Sequence, residues 1–216
     1  MARIARVVVP GIPHHVTQRG VRNMDVFFTP DDREVYKTLL LEQSKRFGID
    51  IVSYCLMSNH VHLIVIPSTE TSLAKAIGET HRLYTRKINF RQKARGYLFQ
   101  GRFFSTPLDE RHFFAAMKYV AQNPVRAKMV QHPWEYPYSS AAHHLGQSED
   151  KLITYCPLLD AITDWKDFLD DSAKQVDEIR QKTRTGRPCG NREFYTAIKE
   201  SSGRDLLPKK AGRHKK

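Results

Sequence analysis

Two β-rich runs at hairpin spacing constrain the fold of this chain more than any other feature. Residues 49–56 and 60–66 are rich in valine, isoleucine and tyrosine, and only three residues separate them. Runs of this composition at this spacing pair as an antiparallel hairpin. Pro67 ends the second strand, because proline has no N–H to donate to a neighbouring strand. The centre of the chain is therefore predicted to be an antiparallel sheet.

The segments on either side of this hairpin complete a β-α-β-β-α-β order. The two outer strands are predicted at residues 16–18 and 96–105, and the helices at residues 30–47, 71–90 and 109–123. This order is that of the split-βαβ, ferredoxin-like plan, an α+β fold with an antiparallel sheet. The third helix then follows the last strand of this core.

The net charge divides the chain into three segments: it is +8 over residues 1–149, −5 over residues 150–179 and +9 over residues 180–216. The formal net charge is +12, from 35 lysine and arginine residues against 23 acidic residues. Residues 180–216 hold 12 basic and 3 acidic side chains. We therefore predict a core domain over residues 1–148 and a helical, basic extension over residues 149–216. A basic excess indicates a polyanionic partner such as nucleic acid, and charge that serves only solubility is the alternative.

Several classes of protein are excluded by what the sequence lacks. No apolar run approaches the roughly 18–20 residues that a membrane span requires, and the N-terminal residues do not resemble a signal peptide. The three cysteines form no CxxC pair, which argues against a disulfide framework and a cysteine zinc site. Glycine-rich phosphate loops and a Gly-x-Ser-x-Gly elbow are also missing. We expect a cytoplasmic, nucleoid-associated protein with no membrane partner.

His60 and His62 are the strongest candidates for metal ligands. Alternate side chains of a strand share a face, so these two imidazoles project together while Val61 and Leu63 face the other way. Two imidazoles at this spacing suit a divalent metal ion. Histidines that bind nothing are the alternative, although the apolar neighbours indicate a central strand where idle histidines would be costly.

The third helix carries a candidate nucleophile. Tyr119 and Asn123 are four residues apart and so lie on one face of that helix. A tyrosine hydroxyl can attack a phosphodiester when a metal ion polarises the phosphoryl oxygens. Asn123 would supply an oxygen ligand to that ion, and the adjacent Gln122 competes for this role. A tyrosine that only packs in the core is the alternative interpretation.

Aromatic and basic residues alternate around the last predicted strand. Phe103 follows Arg102, and Arg95 lies a few residues earlier. Such a segment is typical of surfaces that stack on unpaired bases and contact phosphates. Arg19, at the end of the first predicted strand, is assigned to the same DNA-binding surface. Strand residues that face the core are the alternative for the aromatic side chains.

Three motifs occur in order within residues 5–145. They are His60-Val61-His62 after Met57-Ser58-Asn59, then Phe99-Gln100-Gly101-Arg102-Phe103, then Tyr119-Val120 with Asn123-Pro124-Val125-Arg126-Ala127. Their order and spacing resemble those of the REP-associated tyrosine transposases, which belong to the single-tyrosine HUH transposases of insertion sequences.

The resemblance implies a ferredoxin-like core, a Mg²⁺ or Mn²⁺ ion held by His60, His62 and Asn123, and Tyr119 as nucleophile. Tyr119 would become joined to the 5′ phosphate of the cut strand and leave a free 3′ hydroxyl. The implied substrate is single-stranded or hairpin DNA such as a REP-like palindrome, and the implied assembly is a monomer or weak homodimer. A nickase of the replication-initiator kind and a catalytically idle nucleic-acid-binding module are the alternatives.

The extension also resembles the longer members of this family, which carry a Gly-Arg-Pro segment and a basic terminus. Here Arg187 lies in such a segment, and Lys209, Lys210 and Arg213 lie in the terminus. We assign these four residues to phosphate binding. Helices are predicted at residues 157–182 and 191–201.

Overall fold

The computed structural model of this protein describes residues 5–171, 179, 182–183 and 185–207. Its four strands are β1 His14–Arg19, β2 Ile49–Leu56, β3 His60–Pro67 and β4 Phe104–Pro107. They form one sheet in the order β2-β3-β1-β4, and every neighbouring pair is antiparallel. The predicted ferredoxin-like order of strands and helices is confirmed.

Helices lie between the strands and after them. They are α1 Pro30–Phe47, α2 Ser72–Gln92, α3 Glu110–Ala121, α4 Asn123–Arg126, α5 Ala141–His144, α6 Trp165–Asp170 and a C-terminal helix Arg192–Ser202. Short 3-10 turns lie at Val21–Asn23, Pro133–Glu135 and Pro157–Ala161. Within the described part of the chain, no helix combines the length and the apolar character needed to cross a membrane.

Both faces of the sheet are covered, and β3 divides its side chains between them. Leu63 and Val65 belong to the apolar cluster that α1 and α2 form with the sheet. Ile64 belongs to a second cluster, which is built with α3. Because alternate residues of a strand share a face, His60 and His62 lie on the α3 side with Ile64. The alternation of β3 thus places its apolar side chains in the core under α1 and α2 and its histidines on the opposite face.

The strand predicted at residues 96–105 is wrong over most of its length, because β4 begins only at Phe104. Gly101 has a φ of +63°, a left-handed conformation that interrupts an extended path. Phe99 and Phe103 turn into the core beneath α1 and α2. The Phe99 ring stacks on His81 with 4.2 Å between the ring centroids. Before β4, contact with the first strand is limited to its end, where Phe99 forms an antiparallel bridge with Gly20 and Gln100 N–H donates to the Arg19 carbonyl at 2.8 Å.

Two helix predictions also need correction. α3 ends at Ala121, and the residues that follow form the separate short helix α4. The helix predicted at residues 157–182 is not continuous, because a 3-10 turn ends at Ala161 and α6 covers only Trp165–Asp170. Asp164 separates the two in an extended conformation, and its side chain accepts from the Asp167 backbone N–H at 3.0 Å. The helix predicted at residues 191–201 is confirmed.

The described part of the extension packs against the preceding residues. Cys189 forms a parallel backbone bridge with Leu108, and Ile179 joins the apolar cluster beneath α3. Tyr195 of the C-terminal helix packs with Val7. The boundary at residue 148 stays a prediction, but a deletion of the whole extension would expose core residues to water.

One buried carboxylate anchors the start of α1 and yields a test of the fold. Asp32 accepts from the backbone N–H groups of Phe28 and Thr29 at 2.8 and 2.9 Å, and it pairs with Arg91 of α2. Burial raises the pKa of Asp32, but the hydrogen bonds from Arg91 and the two amides outweigh it and bring the pKa down to about 2. The ionised form is therefore favoured in the folded state.

We expect Asp32→Asn to lower the free energy of unfolding at pH 7 by about 1–2 kcal/mol. Because the folded pKa lies below the unfolded one, this contribution is complete above about pH 4 and disappears as the pH falls towards 2. Urea unfolding at several pH values measures it. Asp31→Asn is the control, since it removes the same charge from an exposed neighbour in the same turn. Equal losses in the two variants would contradict the prediction.

Candidate active site

Strand register collects three histidines on one face of the sheet. In the antiparallel pairing of β1 with β3, His60 lies opposite Arg19 and His15 lies opposite Ile64. Directly paired residues project on the same side of a sheet. His15, His60 and His62 therefore all lie on the face that α3 covers.

Asn59 orients the ring of His60. Nδ1 of His60 lies 2.5 Å from Oδ1 of Asn59, and Nδ2 of Asn59 donates to the Asn23 carbonyl at 3.2 Å. An amide oxygen only accepts, so Nδ1 of His60 is the donor and Nε2 keeps its lone pair. Burial, followed by the charges of Arg19 and Arg126, lowers the pKa of His60 to about 4. The ring is neutral at pH 7.

His62 is held by a second imidazole. The His15 and His62 rings stack with 5.1 Å between centroids and 10° between planes. Nε2 of His15 lies 2.9 Å from Nδ1 of His62, and Nδ1 of His15 lies 2.9 Å from the Thr183 hydroxyl. Burial lowers the pKa of His15 to about 3 and is the largest cause that holds the pKa of His62 well below its usual range. Both rings are in the neutral form that binds metals.

Tyr119 meets these histidines edge to face. Its ring centroid is 5.3 Å from that of His62 and 5.6 Å from that of His15, with planes at 86° and 84°. The Arg126 guanidinium of α4 lies 4.7 Å from the Tyr119 ring centre. Tyr119 is 6% exposed. The structure thus brings the predicted nucleophile and the predicted histidine ligands together.

Asn123 and Gln122 have different surroundings. Nδ2 of Asn123 donates to the Tyr119 carbonyl at 2.8 Å and to the Val120 carbonyl at 3.4 Å, which leaves Oδ1 as its remaining polar atom. Nε2 of Gln122 donates to the Leu169 carbonyl at 2.6 Å, so this side chain is fixed against the residues of α6. Asn123, rather than Gln122, is the amide that shares a hydrogen bond with the Tyr119 backbone.

The predicted ligands are two imidazoles and one amide oxygen, and both kinds of group occur as ligands of divalent cations. Among the side chains that the structure describes, no three histidine, cysteine, aspartate or glutamate residues are placed to hold a metal ion. His15 adds no ligand, because His62 occupies its Nε2. With Nδ1 engaged in both His60 and His62, each offers Nε2. A cation that completes its shell with water or substrate oxygens suits such an open set.

The predicted DNA-binding residues around the sheet divide into exposed and buried ones. Arg19, Arg95 and Arg102 are exposed. Phe103 is only 8% exposed, and the Arg6 guanidinium lies 3.6 Å from its ring centre. The base-stacking role expected for Phe103 is therefore replaced by a packing role. Tyr97, at 89% exposure, is the aromatic residue of this segment that is open to solvent.

The basic residues of the extension are placed differently from the prediction where they are described. Arg187 is partly buried, and its guanidinium donates to the carbonyls of Leu206 and Leu207 at 3.4 and 3.5 Å. Lys209, Lys210 and Arg213 lie outside the described residues.

Four residues at the site escaped the sequence assignment: His15, Asn59, Arg126 and Thr183. His15 could have been found from the sequence, because it directly precedes the strand predicted to begin at Val16. Thr183 gave no local indication, since its partner His15 is 168 positions away.

Comparison with solved structures finds the same fold. A REP-associated tyrosine transposase bound to a REP hairpin superposes with a TM-score of 0.59 at 13% identity, over 72% of this chain and 99% of that chain. A putative transposase from Deinococcus radiodurans R1 gives a TM-score of 0.39 at 16% identity, over 60% of this chain and 94% of that chain. No curated protein sequence matches this chain.

The sequence itself matches a family model, that of the IS200-like transposases, over residues 12–123. The matched region contains all four strands, both histidines of β3 and Tyr119. It covers more than half of the 216 residues, and the chain therefore belongs to the IS200-like transposase family.

Proposed function

We propose that this transposase cuts and rejoins single-stranded or hairpin DNA through a 5′-phosphotyrosine formed on Tyr119. The supporting observation is the convergence of the predicted nucleophile and ligands. Ring centroids are 4.9 Å apart for His60 and His62 and 5.3 Å apart for His62 and Tyr119. A module that only binds nucleic acid has no need of this convergence, and a nickase would share the cutting step without the rejoining.

His60, His62 and Asn123 are the residues that would hold a Mg²⁺ or Mn²⁺ ion. When bound, such an ion supplies Lewis acidity that polarises a phosphoryl oxygen. The chain contributes two rings that burial keeps neutral and an amide oxygen one helical turn beyond Tyr119. The metal ligands and the Tyr119 hydroxyl would then lie around the same phosphate.

Tyr119 carries out the covalent step. Its hydroxyl oxygen bonds to the scissile phosphorus and gives its proton to water, while the bond from phosphorus to the 3′ oxygen breaks and that oxygen takes up a proton. Rejoining is the reverse attack, in which a 3′ hydroxyl bonds to phosphorus and the tyrosine oxygen leaves with a proton. One phosphodiester is exchanged for another, so no external energy source is required. The Arg126 guanidinium lies 4.7 Å from the ring centre and makes a cation–π contact that helps to hold the ring in place.

The substrate class follows from the exposed side chains and from the fold relative. Arg95 and Arg102 offer guanidinium groups to phosphates, and the open Tyr97 ring offers a surface on which an unpaired base can stack. The REP-associated transposase of the same fold is bound to a REP hairpin. A folded single strand with an unpaired tip meets all these requirements.

Tyr119→Phe removes one oxygen and keeps the ring. We expect the free energy of unfolding to fall by at most about 0.5–1.5 kcal/mol and binding of a labelled hairpin to be retained. No covalent adduct should form, because no neighbouring group supplies the bond-forming atom. Gel electrophoresis in SDS after incubation with Mn²⁺ detects the adduct. Tyr97→Phe, an equal change at an exposed position, should form the adduct normally. An adduct on the Tyr119→Phe protein would overturn the assignment.

The third ligand is tested by two neighbouring amides. Asn123→Leu should raise the Mn²⁺ concentration for half-maximal cleavage by about tenfold or more. Asn123→Asp keeps an oxygen ligand, so its half-maximal Mn²⁺ concentration should stay close to that of the wild type. Gln122→Leu is the matched control, since its amide is bonded to the Leu169 carbonyl. The opposite pattern, with Mn²⁺ dependence weakened by the change at residue 122 alone, would transfer the ligand role to Gln122.

The basic terminus is tested by substitution rather than by removal of residues 180–216, because that removal would also delete Thr183 and Cys189, which pack in the core. We replace by glutamine the five basic residues of the terminus: Lys209, Lys210, Arg213, Lys215 and Lys216. The slope of log K against log salt for a single-stranded oligonucleotide should fall by up to about 0.7 per lost phosphate contact, with adduct formation at low salt unchanged. An unaltered slope would show that this segment does not bind phosphates.

A further inference from the structure

A chain of hydrogen bonds joins the C-terminal extension to one of the proposed metal ligands. It runs from the Ile179 carbonyl to the Thr183 hydroxyl, then to His15, and then to His62. We infer that Thr183 is a positioning residue, which fixes the ring tautomer of His62 through His15 so that Nε2 of His62 is free to bind a cation. The inference rests on the proposed function for what that nitrogen binds.

The direction of the first two hydrogen bonds follows from the chemistry of a hydroxyl group. Thr183 has a single hydroxyl hydrogen, which it donates to the Ile179 carbonyl at 2.7 Å. Oγ1 of Thr183 is then left only with lone pairs towards Nδ1 of His15, 2.9 Å away. Nδ1 of His15 must therefore carry the hydrogen and donate it.

The direction of the third bond follows from the second. His15 is buried, at 1% exposure, and a neutral imidazole with a hydrogen on Nδ1 has a lone pair on Nε2. Nδ1 of His62, 2.9 Å from that lone pair, is accordingly the donor. A neutral His62 with its hydrogen on Nδ1 keeps its lone pair on Nε2, which is the arrangement a metal ligand needs.

The two ligands reach the same tautomer by different routes. Asn59 orients His60 from the adjacent position in the β2–β3 connection. His62 depends on a residue 168 positions away from its intermediary. Without the Thr183 hydroxyl, His15 is free to carry its hydrogen on Nε2 and to donate to His62, which then carries its own hydrogen on Nε2 and offers no lone pair there. The extension therefore sets the tautomer of a proposed metal ligand without contacting that ligand directly.

Thr183→Val removes the hydroxyl and keeps the branched shape, and Thr183→Ser restores the hydroxyl. Thr80→Val is the matched control, because Thr80 is fully buried and donates to the carbonyl four residues earlier at 2.8 Å, with no imidazole beyond it. All variants are made in the full-length chain. Both valine variants thus lose a hydrogen bond from the threonine hydroxyl to the carbonyl four residues earlier. Only Thr183→Val also loses the hydrogen bond to His15.

The first measurement is the imidazole ¹⁵N spectrum of the metal-free protein, which distinguishes a nitrogen that carries hydrogen from one that carries a lone pair. We expect hydrogen on Nδ1 of both His15 and His62 in the wild type, the serine variant and the Thr80→Val control, and a mixture of tautomers in Thr183→Val. The second measurement is Mn²⁺ binding followed by electron paramagnetic resonance, where Thr183→Val should bind about tenfold more weakly.

The inference is overturned if the wild type carries hydrogen on Nε2 of His62, or if Thr183→Val has wild-type tautomers and wild-type Mn²⁺ affinity. Should the valine variant not fold, the wild-type tautomers decide alone. Failure of the proposed function would give a different experimental result. Wild-type protein would then show the expected tautomers, yet bind Mn²⁺ no better than a His60→Ala/His62→Ala double variant.

Discussion

The antiparallel register between β1 and β3 is the constraint on which the rest of the structure depends. It places His60 opposite Arg19 and sets His15 where its ring stacks on His62. The same register sends Leu63 into the apolar core under α1 and α2. A slip of one residue would exchange these sets, driving imidazoles into that core and leucine under α3. Hydrophobic burial on one face therefore enforces the placement of the chemical groups on the other.

The catalytic role proposed for Tyr119 and a structural role in the core fall on the same side chain. Tyr119 is a member of the apolar cluster that attaches α3 to the sheet, together with Phe113 and Val120. The low exposure that comes from this packing keeps the neighbouring imidazoles neutral, since burial is the largest cause of their lowered pKa values. The closeness of Arg126 to the Tyr119 ring adds positive charge without a carboxylate to neutralise it among the ring's described contacts.

Local patterns predicted the β-α-β-β-α-β order of elements and the two long helices, whereas the combination of Tyr119 with the histidines came from the family resemblance. They depend on periodicity and spacing, which a single sequence displays directly. The aromatic segment before β4 was mispredicted because Phe103 has the same appearance whether it stacks on a base or fills a core, and only the placement of Arg6 over its ring decides between them. The role of Thr183 could not be predicted, because its partner His15 is 168 positions away and no local sequence pattern indicates the contact.

The distance in sequence between Thr183 and the sheet also has a consequence for protein synthesis. The ribosome completes the four strands and Tyr119 well before it adds the residue that orients His15. Until Thr183 has been added, the imidazole pair lacks the hydrogen bond that we infer to fix its tautomers. The metal site proposed at His62 would therefore be completed later than the sheet that carries it.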